Sequence, residues 1–521
     1  MAACAEETLF QMLARQAARL GGREAVADSA SRLSYWELLS LAERLAGGLH
    51  GLGIRRGDSV LVQMSNCTDM AAVLFACWRI GAVAVLLLPA YREADIVPLS
   101  ERIRPAAWIG EGRFLGTDYS RLASGVIEAS PSIRWNICRQ EGVPGTTCLK
   151  SLMEARPLAE AEAPHPLPGD VAAVICTGGT TGFPKPVPRT HSQLLQLSLA
   201  CCRRCGLDET LVYLADLPLG HVFILAVPGL VGSLLMGGRT VFAATAATDE
   251  VFPLVEEERA TMLTLVPSLL PIWLDAASWD PSDLSSLSLV EVGGAPVNGE
   301  TLAKVAEAVD CRVQQAYGYS EGLVTLTPPL AWNEVGDMSV QGMPVHEGDE
   351  LKIVRPDKSE TGRGEKGELI SRGPYLCRGY YCAPELDGAF DSEGFFHSGD
   401  QAYWNGDGRI CVCGRLKDLI NRSGEKFSPM EIEAAVNRHP AVKDAVVVGV
   451  PAGDEGDLVC AWIQPSDAEG APPVPDLADL RSYLLDEGVA AYKLPERLHV
   501  IGEMPKSAFG KILRRKLVEM S

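Results

Sequence analysis

Apolar residues near the start of the chain recur at helical spacing, as at Leu9, Leu13, Ala17 and Leu20, and residues 6–50 read as helices. Ser34, followed three positions later by Glu37, forms a capping-box pattern that opens the second of them. From about 58 to 320 the pattern changes to short apolar runs separated by helical stretches. The runs at 60–62, 83–88, 171–175, 262–266, 289–292 and 313–316 read as buried strands. Such alternation predicts parallel sheets covered by helices, whose ligands bind beyond the carboxyl ends of the strands. Between 340 and 413 the strands at 351–354, 368–370 and 410–412 are separated by Gly and Asp turns, Asn405-Gly406-Asp407-Gly408 being a strong hairpin signal. A small antiparallel barrel or meander is expected there. The tail carries a helix at 429–438, a strand at 442–450, a Pro-rich loop near 472–475 and a helix at 477–487. No internal repeats occur.

A chain of 521 residues is too long for one hydrophobic core, so at least two folding units are expected. The reading is an α/β protein. Residues 1–414 form a large domain of two parallel-rich sheets with helices plus a small β-barrel, and residues 415–521 form a small α+β domain. The formal net charge of −20 comes without a basic patch, which speaks against nucleic acid or an anionic membrane as partner. The apolar stretch at 222–236 is short for a membrane span and holds Pro228, Gly229 and Gly232, so it reads as a buried segment. The first residues lack a signal-peptide pattern, and the 15 cysteines suggest no disulfide framework, so a reducing cytoplasm is expected. Cys201-Cys202-x-x-Cys205 resembles half of a zinc site without a second half, and reads as structural thiols.

Five segments carry chemistry. Thr177-Gly178-Gly179-Thr180-Thr181-Gly182-Phe183-Pro184-Lys185 follows the strand at 171–175. Its glycines let the backbone wrap an anion, and its N–H groups and hydroxyls donate to phosphate oxygens. Phe183 and Pro184 before Lys185 depart from a Walker loop, and Pro184, Pro186 and Pro188 forbid an immediate helix. The helix is expected to begin near Thr190 or Ser192. Ala316-Tyr317-Gly318-Tyr319-Ser320-Glu321-Gly322 offers an aromatic face for a purine and a carboxylate for Mg²⁺. His397-Ser398-Gly399-Asp400 offers a carboxylate for ribose hydroxyls. The charged run from Gly414 to Lys426 joins barrel to tail, and Pro505-Lys506-Ser507-Ala508-Phe509-Gly510-Lys511 ends the chain's chemistry. Each alone has a bland reading as a turn, linker or solvated lysine.

In this order and spacing the segments resemble the adenylate-forming enzymes: acyl- and aryl-CoA synthetases, adenylation domains of nonribosomal peptide synthetases and firefly-type luciferases. The resemblance covers essentially the whole chain. It looks closest to the stand-alone aryl-acid ligases of the 2,3-dihydroxybenzoate–AMP ligase type, through 178–182 with Pro188-Arg189-Thr190-His191, Gly322-Leu323-Val324, the run 418–426, and Tyr492-Lys493-Leu494-Pro495. The resemblance implies ATP and Mg²⁺ as cofactors. It assigns Gly178 to Lys185 to the triphosphate, Gly293, Gly294 and Ala295 to the flanks of adenine and acyl group, and Tyr317 to adenine stacking, beside Ala316 and Gly318. Glu321 would bind Mg²⁺, and Asp400 the ribose, with Arg415 nearby. Lys417 would be the hinge of a mobile C-terminal domain, and Lys511 would contact the carboxylate and α-phosphate. His221 would stand beside an acyl pocket formed with Val222, Phe223, Ala226, Gly294, Gly318 and Val324. The dihydroxybenzoate ligases carry His-Asn-Tyr and then a Ser at this place. Here the residues are His221-Val222-Phe223 and then Ala226, which lack the polar groups that read a ring hydroxyl.

The implied reaction activates an aromatic carboxylic acid as its adenylate, releases pyrophosphate, and passes the acyl group to a pantetheine thiol. The acceptor would be a carrier protein, with free CoA as the alternative. A luciferase-like oxygenase shares the first step and is distinguished by O₂ uptake. A non-catalytic nucleotide-binding protein would be expected to have lost some of Lys185, Glu321, Asp400 and Lys511, all of which are present.

Overall fold

The computed structural model describes residues 6–158, 162, 164–177, 184–336, 338–422, 425–452, 456–467, 470–506 and 512–521. Contacts divide the chain into two compact units. The first comprises Met1–Met338, Gly342–Glu350 and Arg372–Phe396, the second Ser339–Gln341, Leu351–Ser371 and His397–Ser521.

The first unit holds two large sheets. In the seven-stranded sheet the order runs Lys185–Thr190, Val171–Thr177, Val83–Leu86, Ser59–Gln63, Ala107–Gly110, Trp135–Cys138, Thr147–Cys148. Every pairing in it is parallel except the first. The nine-stranded sheet has a parallel centre of Arg312–Gly318, Leu289–Gly293, Met262–Leu265, Val212–Ala215, Arg239–Phe242 and Glu24–Ala27. Antiparallel strands close both of its edges. Helices including Leu9–Leu20, Thr68–Ile80 and His191–Cys205 share one core with inward residues of both sheets, among them Val62, Ile175, Tyr213 and Leu289. The other face of the nine-stranded sheet packs Val290 and Val292 against helices at Thr248–Glu258, Leu270–Ala277 and Gly299–Ala308. This is the parallel-rich, helix-covered architecture expected from the alternating runs.

Within 6–50 the all-helical expectation is corrected. Helices Leu9–Leu20 and Tyr35–Gly51 are separated by the strands Glu24–Ala27 and Arg32–Ser34. These are only three and four residues long, too short to show a period of two. Their place is fixed from far along the chain, by Arg239 pairing with Glu24 and Arg32 pairing with the buried Glu258. The Ser34–Glu37 capping box is present. The apolar 222–236 stretch forms two short buried helices, Val222–Ala226 and Gly229–Met236, and no helix among the described residues is long and apolar enough to cross a membrane.

In the second unit a four-stranded sheet runs in chain order, Glu350–Val354, Gly367–Arg372, Phe396–Trp404, Ile410–Arg415. That is the meander alternative of the sequence reading, and the Asn405–Gly408 turn joins its last two strands. The tail builds a three-stranded sheet from Val442–Pro451, Asp457–Pro465 and Arg497–Val500, with helices Pro429–Val436 and Leu477–Asp486 closing its core.

Candidate active site

Strand Val171–Thr177 ends with Thr177 paired opposite Lys185, which starts the antiparallel strand Lys185–Thr190. The loop residues assigned to phosphate, Gly178, Gly179, Thr180, Thr181 and Gly182, lie outside the described residues. The prolines 186 and 188 sit in this edge strand, where a missing N–H is tolerated. Thr190 then caps helix His191–Cys205 by accepting from the Gln193 N–H at 3.2 Å.

Two glycines show why the neighbouring strand ends come so close. A Cβ on Gly293 would stand 2.7 Å from the Ala316 carbonyl oxygen and 2.9 Å from Phe223 Cζ. Gly293 and Ala316 are register partners on adjacent parallel strands. The Phe223 ring therefore rests over the Gly293–Ala316 step, and Gly318 pairs with Val324 just beyond. Gly294 and Ala295 are exposed, Gly294 with φ +87°. Tyr317 stands edge-on to Tyr319, ring centroids 6.5 Å apart, and Tyr319 packs on Phe396 at 4.9 Å.

His221 caps helix Val222–Ala226, its Nδ1 accepting from the Phe223 N–H at 3.3 Å. The turn leading to it is held by a residue the sequence reading passed over. Asn66 Nδ2 donates to the carbonyls of Ala215 and Leu217 at 3.0 and 2.8 Å, and Asn66 Oδ1 accepts from the Leu219 N–H at 2.9 Å. Val222, Phe223 and Ala226 are all buried.

Glu321 is buried and is fixed from three sides. The Tyr380 hydroxyl donates to Glu321 Oε1 at 2.7 Å, the Cys377 N–H donates to the Glu321 carbonyl at 2.7 Å, and Arg189 Nη1 donates to the Ser320 carbonyl at 2.7 Å. Lys185 Nζ lies 5.3 Å from the Tyr380 ring centroid. Lys185, Tyr380 and Glu321, far apart in sequence, thus form one cluster. Burial and the neighbouring Glu321 push the Tyr380 phenol well above its ordinary range, so it stays a hydrogen-bond donor.

Beneath the Phe223–Gly293 contact runs a polar row across the sheet, Thr264, Glu291 and Gln314, aligned by register. Glu291 is fully buried, and neither carboxyl oxygen has a hydrogen-bond partner among the described residues. Burial raises its pKa well above the carboxylate range. Cys201, Cys202 and Cys205 lie close enough to perturb or be perturbed by it, and Cys205 Sγ donates to Gln314 Oε1 at 3.1 Å. These thiols belong to the core. No group of three or more His, Cys, Asp or Glu side chains among the described residues is placed to hold a metal.

In the second unit, Asp400 and Arg415 face each other across the strand pair, Arg415 Nε to Asp400 Oδ1 at 2.7 Å. Arg415 Nη1 also donates to the Ser398 carbonyl at 3.1 Å, and the Asp400 N–H donates to Ser398 Oγ at 3.0 Å. Asp400 is buried, and Arg415 places a guanidinium against its carboxylate. Lys417 is exposed in a single helical turn, Leu416–Asp418, that leads from the meander to the tail. Two ties span it in sequence: Lys366 Nζ to Glu431 Oε1 at 2.7 Å, and Ser428 Oγ donating to the Cys413 carbonyl at 2.5 Å. Lys511 lies outside the described residues. On either side of it, Lys506 and Ile512 are bridged antiparallel.

Residues 13–381 match the model of the "AMP-binding enzyme" family, and residues 431–511 that of the "AMP-binding enzyme C-terminal domain". The chain is 37% identical to the 2,3-dihydroxybenzoate-AMP ligase of Bacillus subtilis, covering 99% of this chain and 94% of that protein. It is likewise 37% identical to the salicyl-AMP ligase / salicyl-S-ArCP synthetase of Mycobacterium tuberculosis, covering 98% and 90%. Among solved structures, apo MbtA of Mycobacterium smegmatis matches with a TM-score of 0.74 at 33% identity, over 99% of this chain and 95% of that one.

Proposed function

Because the chain belongs to the family of AMP-binding, adenylate-forming enzymes, we propose that it activates an aromatic carboxylic acid with ATP and loads the acyl group onto the pantetheine thiol of a carrier protein. In the first step a carboxylate oxygen of the acid bonds to the α-phosphorus. The α–β bridging bond breaks, and pyrophosphate leaves with the electron pair. In the second step the thiol sulfur bonds to the acyl carbon as its proton is released, and AMP leaves with the electrons of the acyl–phosphate bond. Neither step needs covalent help from the protein; positioning and charge stabilisation suffice.

The observation that carries this reading is the Lys185–Tyr380–Glu321 cluster: Glu321 follows the strand that presents Ala316, Gly293 lies on the neighbouring strand, and Phe223 packs on that step from a short helix. A cation and a carboxylate suited to a metal–triphosphate stand in the same unit as an apolar, aromatic-lined step suited to an acyl group. Tyr317 would stack on adenine. Asp400, oriented by Arg415, would accept both ribose hydroxyls. Glu321 offers one hard carboxylate oxygen that Tyr380 leaves unused, which suits an ion completed by substrate phosphates. Mg²⁺ held there would neutralise phosphate charge. Residues 415–521 would turn about Lys417 between the two half-reactions, withdrawing Lys511. That motion must break the Lys366–Glu431 and Ser428–Cys413 ties.

The acid pocket, walled by His221, Val222, Phe223 and Val324, recognises its ring mainly by shape. A site built to bond a hydroxyl rejects the analogue lacking it by about 10⁴–10⁵, whereas an apolar pocket discriminates by about 10–200-fold per methylene. Alkyl-substituted, bicyclic or heteroaromatic acids are therefore the preferred candidates. In acid-dependent ATP–pyrophosphate exchange, 2,3-dihydroxybenzoate should do no better than a methyl-substituted benzoate. A strong preference for the catechol, lost on removing its 2-hydroxyl, would refute apolar recognition.

A further inference from the structure

The carboxylate of Glu321 is held more firmly than a merely buried glutamate requires. The backbone on both sides of it is tied: the Ser320 carbonyl accepts from Arg189, and the Glu321 carbonyl accepts from the Cys377 N–H. Gly322 lets the chain pass Leu376, since a Cβ there would come within 2.7 Å of the Leu376 Cα. Arg189 is itself fully buried on the edge strand that begins at Lys185. The segments 185–190, 319–322 and 375–381 are thus locked together, the last also through the Tyr381 N–H, which donates to the Pro186 carbonyl at 2.9 Å.

Tyr380 stands where these segments meet. Its own N–H donates to Asp387 Oδ1 at 2.7 Å, and its ring lies edge-on to Phe390 with centroids 5.9 Å apart, so the ring cannot swing freely. From that fixed position it makes two different contacts with charge. The hydroxyl donates to Glu321 Oε1, and the ring face lies under the Lys185 ammonium. A carboxylate has about four lone-pair sites. One hydrogen bond to Oε1 fixes the plane of the group and leaves Oε2 for another partner. The ring quadrupole attracts the ammonium without neutralising it, so Lys185 is kept beside the carboxylate rather than bonded to it.

We infer that Tyr380 is a positioning residue that orients Glu321 toward the metal–triphosphate and keeps Lys185 beside it before nucleotide binds. The inference rests on the roles given above to Glu321 and Lys185. Without the hydroxyl, Glu321 must be ordered when the metal nucleotide arrives. The rotamer freedom of one glutamate corresponds to about tenfold in affinity.

Tyr380→Phe removes the hydroxyl and keeps the ring. The test is calorimetric binding of a non-hydrolysable ATP analogue to the full chain, with Mg²⁺ and with the metal chelated, alongside the Mg²⁺ concentration giving half-maximal exchange. Affinity for the Mg²⁺ complex should fall about tenfold while metal-free affinity holds within twofold. The Mg²⁺ requirement should rise about tenfold, and the KM for the acid should not move. In a Glu321→Gln background, Tyr380→Phe should add less than twofold, because the carboxylate it positions is gone. Equal losses with and without Mg²⁺, no loss at all, or losses that multiply across the two substitutions would each overturn the inference. If Tyr380→Phe does not fold, Asp387→Ala frees the Tyr380 N–H anchor, and the same Mg²⁺-selective loss is required of it. A wild type that binds the Mg²⁺ analogue but exchanges pyrophosphate with no acid would refute the proposed function and leave the Tyr380 measurement readable.

Discussion

Glu291 should make the protein lose stability as pH rises, and Glu291→Gln should remove that loss. Its carboxyl is fully buried, lacks a hydrogen-bond partner among the described residues, and has its pKa raised well above 4.5 by burial alone. The native state therefore keeps the proton above pH 4.5, while the unfolded chain gives it up. With fewer protons bound in the unfolded state, unfolding becomes easier by about 1.4 kcal/mol for each pH unit above that value, until the native group itself ionises. From pH 5 upward the wild type should lose stability progressively relative to Glu291→Gln, whose amide does not titrate. Asp216, held at about 8, and Asp349, at about 6, also titrate, but they are common to both proteins and cancel in the difference. Urea unfolding of both proteins at pH 5, 6, 7 and 8 reads the effect directly. Glu291→Met, an apolar replacement of similar length, should show the same pH-dependent difference from the wild type. Parallel profiles for wild type and Glu291→Gln would show that the carboxyl is charged or paired in the native state, and would refute the sealed-carboxyl reading.

Three further outcomes follow from the site. Lys511→Ala should abolish adenylate formation, a loss of 10²–10³ or more in rate as for other positioned charges, yet spare thiol acylation from supplied acyl-adenylate; equal loss of both half-reactions in a folded variant would exclude a domain that withdraws this lysine. Lys417→Pro should do the reverse, because a fixed φ obstructs backbone rotation at the hinge; normal overall turnover would move the hinge elsewhere. Arg415→Met should weaken ATP binding by removing the guanidinium that orients the Asp400 carboxylate, with a stability cost of about 1 kcal/mol because the arginine is half exposed; unchanged ATP affinity would show that Asp400 is oriented without Arg415.

What could be read in the chain was local. Runs such as 60–62 and 83–88 are apolar on both faces because both are covered, and that shows in a few consecutive residues. The Thr190 and Ser34 caps lie within three residues of their partners and were legible for the same reason. Tyr380 was not, because its contact with Glu321 spans 59 residues and nothing beside it in sequence announces a carboxylate. Asn66 holds a turn 149 to 153 residues away. Glu291 reads in sequence as an ordinary polar interruption of a strand, and only the helix of cysteines packed over it reveals that it never meets water. The short hairpin at 24–34 escaped for a related reason: its order comes from Arg239 and Glu258, not from its own pattern.

The deciding question is whether the activated acyl group reaches a carrier-bound thiol. The enzyme is incubated with ATP, Mg²⁺ and the best acid from the exchange panel, in parallel with a phosphopantetheinylated aryl carrier protein and with free CoA. Intact-mass spectrometry then follows the carrier, and chromatography follows the CoA thioester. The carrier should gain the mass of one molecule of the acid less one water, at a rate well above that of CoA thioester formation, with one AMP released per transfer. Acid-dependent pyrophosphate exchange with no thioester on either acceptor would contradict the account.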